Sequence, residues 1–217
     1  MVFKNFFNKA KSTLKNLNKK IRNERKKLFA ILTKLQNNLE RQKYIRSYCH
    51  NQAYYNLLGN ELNRKFCELS EKIDKEAKML YSLRVHIANE IGLLEKVLNA
   101  YNKEIHRAEQ KGLSYKKQEL EKIKLEILAA AKEHVQEKKI LEEIEKLYNE
   151  KHQLLEKLQN EIKNEAIIKD LKKLNKLINE EKDIINTLKK YIKKEENMIN
   201  EENKITKEYM NIKNIKS

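Results

Sequence analysis

The chain of 217 residues contains no proline. Proline removes a backbone donor and clashes with the preceding helical turn, so it is the residue that most firmly ends a helix. A typical chain of this length has about ten. Only three glycines, Gly59, Gly92 and Gly112, offer other places to stop. Onto this background falls a heptad pattern. Apolar residues recur as Phe3, Phe7, Ala10, Leu14, Leu17, Ile21, Leu28, Ile31 and Leu35. After a loss of phase beyond Leu39 they resume as Phe66, Ile73, Leu80, Ile87, Leu94, Tyr101 and Ala108. Spacings of three, four and seven are the seam of packed helices.

The segment Gln110-Lys111-Gly112-Leu113-Ser114 interrupts the pattern. Glycine suits the left-handed position after a helix, and serine suits the N-cap of the next. The repeat then returns as Leu120, Ile127, His134, Leu141, Tyr148, Leu155 and Ile162. It slips near Ala166-Ile167-Ile168 and continues through Leu171, Leu174, Ile178, Ile185, Leu188, Ile192 and Ile199. The pattern predicts an all-α fold: a long antiparallel hairpin or coiled coil with its turn at residues 110–114. Its parts are a basic amphipathic segment 1–23, a first arm 24–109, the turn, and a second arm 115–217. An antiparallel pairing about Gly112 sets Leu94 near Ala130, Leu80 near Ile144 and Phe66 near Leu158, all apolar. The alternative is an elongated four-helix bundle, each arm folding back at breaks near 48–60 and 163–168, around Gly59-Asn60 and Asn164. With no proline to enforce a break, the unbroken hairpin is the preferred expectation.

Charge is unevenly placed. The formal net charge is +16. Residues 1–55 hold 14 Lys and Arg against Glu24 and Glu40 alone, a net of +12. Within residues 1–23 the apolar face of the helix carries Phe3, Phe6, Phe7, Leu14 and Leu17. Lys4, Lys9, Lys11, Lys15, Lys19, Lys20 and Arg22 supply the basic side chains. A basic amphipathic helix with aromatic residues can lie in an anionic membrane interface. These twelve residues are the candidate contact surface. Two readings compete with it: the first heptads of the helix packing, and nucleic-acid binding through residues 1–55. Tyr44, Tyr48, Tyr54 and Tyr55, flanked by Arg41, Arg46 and His50, could stack bases; a tyrosine packing layer at a kink is the preferred reading.

Catalytic and metal motifs are missing from the sequence. There is no HExxH, no CxxC and no phosphate-cradling glycine loop. Pairs such as Glu119–Lys122 and Glu142–Lys146 read as solvated helix faces. His134 occupies a seam position and is read as a polar residue that sets register. Cys49 and Cys67, if they share one continuous helix, are about 27 Å apart and cannot bridge. Two free thiols fit a reducing compartment. No catalytic residue, cofactor, metal or small-molecule substrate is expected.

Phe3 to Ile21 and the Gly112 turn together resemble the outline of the phage-shock protein A and ESCRT-III class of membrane-remodelling proteins. That likeness implies a helical hairpin with a membrane-binding N-terminal helix. It departs from the class in its C-terminal half, where residues 113–217 net +3 instead of being acidic. The functional expectation is a non-enzymatic coiled-coil scaffold or assembly protein, cytoplasmic or peripheral to a membrane. It would self-associate or bind other coiled coils. A purely structural tether is the alternative, and nucleic-acid binding the second.

Overall fold

The computed structural model describes the backbone of residues 2–111 and 117–214, and the side chains of 8–110 and 118–209. The fold is all-α: four long helices and no strand among the described residues. Helix α1 spans Val2–Gln42, followed by a 3-10 turn at Lys43–Ile45 and the short α2 at Arg46–His50. Helices α3, α4 and α5 span Gln52–Lys111, Lys117–Glu161 and Glu165–Asn214. The 112–116 connection, with the expected Gly112 and Ser114 caps, lies outside the described residues.

The backbone groups into two compact units, each drawing on both arms. Unit 1 comprises Met1–Leu28, Val85–Glu137 and Lys190–Ser217; unit 2 comprises Phe29–Arg84 and Lys138–Lys189. In unit 1, Lys11 pairs with Glu109 and Arg25 with Glu95, so α1 and α3 run antiparallel. Lys20–Glu201 joins α1 to α5, and His86–Glu133 joins α3 to α4. In unit 2, Lys65–Glu161 and Lys72–Glu150 join α3 to α4 antiparallel. Asn38 donates to the Leu177 carbonyl, joining α1 to α5. Each unit is therefore a four-helix arrangement, and the first arm folds back on itself as the four-helix alternative requires. Phe66, Leu80, Leu94, Ala130, Ile144 and Leu158, the apolar residues expected opposite one another across α3 and α4, are all buried. These partly exposed ion pairs fix register more than stability, each being worth under about 1 kcal/mol.

Local chemistry explains the fold-back. Gly59 has φ 75° and ψ 171°, a region essentially closed to residues with a Cβ. Asn51 is extended, and its side-chain oxygen accepts from the Ala53 amide at the start of α3. Asn164 caps α5 the same way, accepting from the amides of Ala166 and Ile167. Tyrosines fill the first bend. Tyr48 is buried, stacks on Phe66 at 4.8 Å and donates to Asp170 at 2.5 Å. Tyr44 donates to the Asp170 carbonyl oxygen at 2.6 Å. This is a packing layer.

The bend also corrects the expectation for the cysteines. Cys49 and Cys67 form a disulfide, with Cα atoms 4.9 Å apart. The distance argument assumed one continuous helix. The breaks at residues 43–51 and at Gly59 return the chain to its own start, so residues distant along a helix become neighbours across a turn.

Candidate metal centre

Each unit carries one polar layer inside its apolar core. In unit 2 the layer is Gln42 and Asn38 of α1, Glu76 of α3, Lys151 of α4 and Glu181 of α5. Lys151 is completely buried and lies 2.5 Å from Glu76 and 2.7 Å from Glu181. It also donates to the Gln42 side-chain oxygen at 3.1 Å. Gln42 donates in turn to Glu181 and to Asn38. A cation thus sits between two acids, with the Gln42 amide on Glu181, while Glu76 Oε1 and Glu181 Oε1 have no hydrogen-bond partner. The cation supplies the pairing that a buried charge requires.

The layer in unit 1 occupies matching seam positions. Glu90 lies two heptads after Glu76, and Glu195 two heptads after Glu181. Glu137 lies two heptads before Lys151, and Glu24 two heptads before Asn38. The lysine of one layer is thereby a glutamate in the other. His134, one helical turn before Glu137, is the layer's other basic group, and Glu202 follows Glu195 by one heptad. Glu90, Glu137, Glu195 and Glu202 are completely buried, and His134 is 4% exposed. Among the described residues no lysine or arginine pairs with any of these four acids.

The geometry is compact. Glu90, His134, Glu137 and Glu195 each place one potential ligand atom within 4.8 Å of the others. His134 Nδ1 lies 3.2 Å from Glu90 Oε2 and 3.5 Å from Glu137 Oε2. Its Nε2 has no hydrogen-bond partner. Apart from that approach of His134 to Glu137, no donor meets either oxygen of Glu137 or Glu195, and Glu90 Oε1 is equally unpartnered. Burying an isolated carboxylate is so costly that the group takes up a proton instead. Burial pushes Glu90 up to about 8 and Glu202 up to about 9. Burial, then the charges of Glu90 and Glu137, hold Glu195 well above the usual carboxyl range. Burial disfavours a charged His134, yet hydrogen bonds to Glu137 and Glu90 outweigh it and raise the imidazole to about 9.

Three carboxylates and one imidazole from three helices are a donor set that could hold a divalent ion. Oxygen-rich donors with one nitrogen suit Mn2+, Fe2+ or Zn2+ better than softer ions. Four-helix bundles build metal sites in this way, from side chains on facing helices.

The sequence-based candidates fall elsewhere. The side chains of Phe3, Lys4, Phe6 and Phe7 lie outside the described residues. Leu14 and Leu17 are buried in unit 1 with Ile21, so the bundle takes that apolar face. Lys9, Lys11, Lys15, Lys19, Lys20 and Arg22 are exposed, Lys11 and Lys20 in ion pairs with Glu109 and Glu201. Sequence reasoning placed His134 on the seam but passed over Glu90, Glu137, Glu195 and Glu202. Their signal was phase. Adding three to Phe66, Ile73, Leu80, Ile87 and Leu94 gives Leu69, Glu76, Leu83, Glu90 and Val97, one slot interrupted by two acids. No protein-family model, curated protein or solved structure matches the chain.

Proposed function

We propose that this chain is a non-enzymatic helical scaffold whose unit 1 is completed by a divalent cation bound to Glu90, His134, Glu137 and Glu195. One observation carries the reading: four ligand atoms lie within 4.8 Å of one another, completely or almost completely buried, with no lysine or arginine paired to them among the described residues. Unit 2 supports it by contrast, because there Lys151 supplies that charge. A bound ion neutralises acids on three helices at once, so binding and packing of the unit are coupled. The test is to strip the full chain with chelator, then titrate Mn2+, Fe2+ and Zn2+ while following metal content and thermal melting. Free ion at about a hundred times its dissociation constant adds about 2.7 kcal/mol. Glu195→Gln should lose the ion yet melt higher than the stripped wild type, since one uncompensated acid is gone. Absence of bound ion at micromolar metal would overturn the proposal.

A second reading concerns partners. The exposed row Lys9, Lys15, Lys19 and Arg22 supports contact with an anionic surface through charge alone, because Leu14 and Leu17 are engaged in the core. Leu125, Leu128 and Val135 are exposed on α4 and support association with another helix. Liposome sedimentation tests the first: binding that survives 0.5 M salt would contradict a purely electrostatic contact. No helix among the described residues is long and apolar enough to cross a membrane. The free-thiol argument for a reducing compartment lapses with the disulfide, which supports an oxidising one.

A further inference from the structure

We infer that the outer face of α4 in unit 1 binds a second copy of this chain, α4 against α4 and antiparallel, along Gln118, Glu121, Leu125, Leu128, Lys132 and Val135. This rests on the reading above that α4 associates with another helix, and it names the partner. Helix α4 carries two seams. Ile123, Ile127, Ala130, His134 and Glu137 are buried and form the face toward the unit 1 core. The six outer residues recur at alternating spacings of three and four, the pattern of a second packed helix, and all six are exposed. Leu125 is 65% exposed, Leu128 52% and Val135 49%. Large apolar side chains aligned on one exposed stripe mark a contact surface.

Charge selects the partner and its direction. A parallel pairing in register sets Glu121 against Glu121 and Lys132 against Lys132, like charges facing in both layers. Antiparallel pairing about an axis between Glu126 and Ile127 removes both conflicts. Leu125 of one copy then meets Leu128 of the other, Glu121 meets Lys132, and Gln118 meets Val135. A two-fold axis makes every such contact twice, so two leucine pairs form the centre and an ion pair closes each side. Beside the seam, Lys122 stands opposite Ala129 and Lys124 opposite Ala131. No like charges meet there, and the small residues admit close approach. Centring the pair on Ala130 instead sets Leu128 against Lys132 and Lys124 against Lys138. A short coiled coil is marginal when its helices must form on association. Here α4 is already held in the bundle, so that ordering cost is absent. The stripe thus complements itself in apolar surface and in charge.

The experiment is sedimentation equilibrium of the full chain from about 1 to about 100 µM, the range suited to a short interface. The expected result is a reversible monomer–dimer equilibrium. Three variants change exposed side chains only, with helicity checked by circular dichroism: Leu128→Lys, Glu121→Lys, and Glu121→Lys combined with Lys132→Glu. Leu128→Lys should abolish the dimer. Glu121→Lys turns two attractions into two repulsions and should weaken it about tenfold. The double variant reverses both charges and should restore wild-type affinity, which a parallel pair would not show. A wild-type chain that stays monomeric overturns self-pairing and spares the broader reading of α4. A dimer unmoved by Leu128→Lys overturns both, because the association then lies elsewhere. A dimer lost in Leu128→Lys but indifferent to Glu121→Lys, or not restored by the double variant, overturns the antiparallel pairing and spares the α4 face.

Discussion

Replacing Lys151 by methionine keeps the length of the side chain and removes the only cation of the unit 2 layer. Lys151 now stands 2.5 Å from Glu76 and 2.7 Å from Glu181, all three without solvent exposure. Burial already holds Glu76 well above the ordinary carboxyl value of 4.5, and Lys151 is the group that pulls it down. Without the lysine, Glu76 and Glu181 stand buried with no cation beside them. Breaking a buried pair in this way typically costs about 3–5 kcal/mol. At roughly 2–4 °C per kcal/mol for a chain of this size, melting should fall by about 6–20 °C. Urea denaturation followed by circular dichroism at pH 7 measures it. The triple variant Lys151→Met, Glu76→Gln, Glu181→Gln should recover most of the loss, because no charge is then stranded. A single variant that loses under about 1 kcal/mol, or a triple variant no better than the single, would refute the reasoning.

Three further outcomes follow from the same structure. In chelator, unit 1 should grow less stable as pH rises, the reverse of the usual acid sensitivity. Glu90, Glu202 and His134 have folded values raised to about 8, 9 and 9, so their contribution is full below about 4.5 for the acids and 6.5 for the histidine, and is lost as pH passes through 8 to 9. Denaturation at pH 5, 7 and 8.5 checks this, and a gain on raising pH would count against it. Glu137→Lys copies the unit 2 arrangement into unit 1; it should raise the stability of the metal-free chain by a few kcal/mol and abolish the response to Mn2+. Finally, Cys49→Ser with Cys67→Ser should lower the stability of unit 2 by about 3 kcal/mol, as expected for a closed loop with a separation of 18 residues. An unchanged urea midpoint would show that the bridge contributes nothing.

Much of the fold was legible in the sequence. The missing prolines and the heptads gave the helices, and Gly59-Asn60 and Asn164 were named as possible fold-back points. The preference for an unbroken hairpin failed on a physical point. Helices end through capping chemistry as well as through proline, and here a left-handed glycine and two asparagine side chains suffice. The cysteine reading failed with it, since it inherited the straight helix. The acid layer was missed for another reason. In a chain so rich in lysine, many glutamates have a lysine three or four residues away, as Glu142 has Lys138, Lys139 and Lys146, and local pairing looks like solvation. Glu90, Glu137, Glu195 and Glu202 have none at those spacings; that lack and the seam phase together separate the completely buried Glu90 from Glu142 on the exposed face.

The complete burial of Glu137 and Glu195 has a kinetic consequence. An ion bound among them would be shut off from solvent by the same burial, and would leave when the helices around it part. Its dwell time then reports how often unit 1 breathes. Isotopic exchange of the metal and hydrogen exchange of the amides around His134 should proceed at one common rate, with the ion serving as an internal clock for the opening of the bundle.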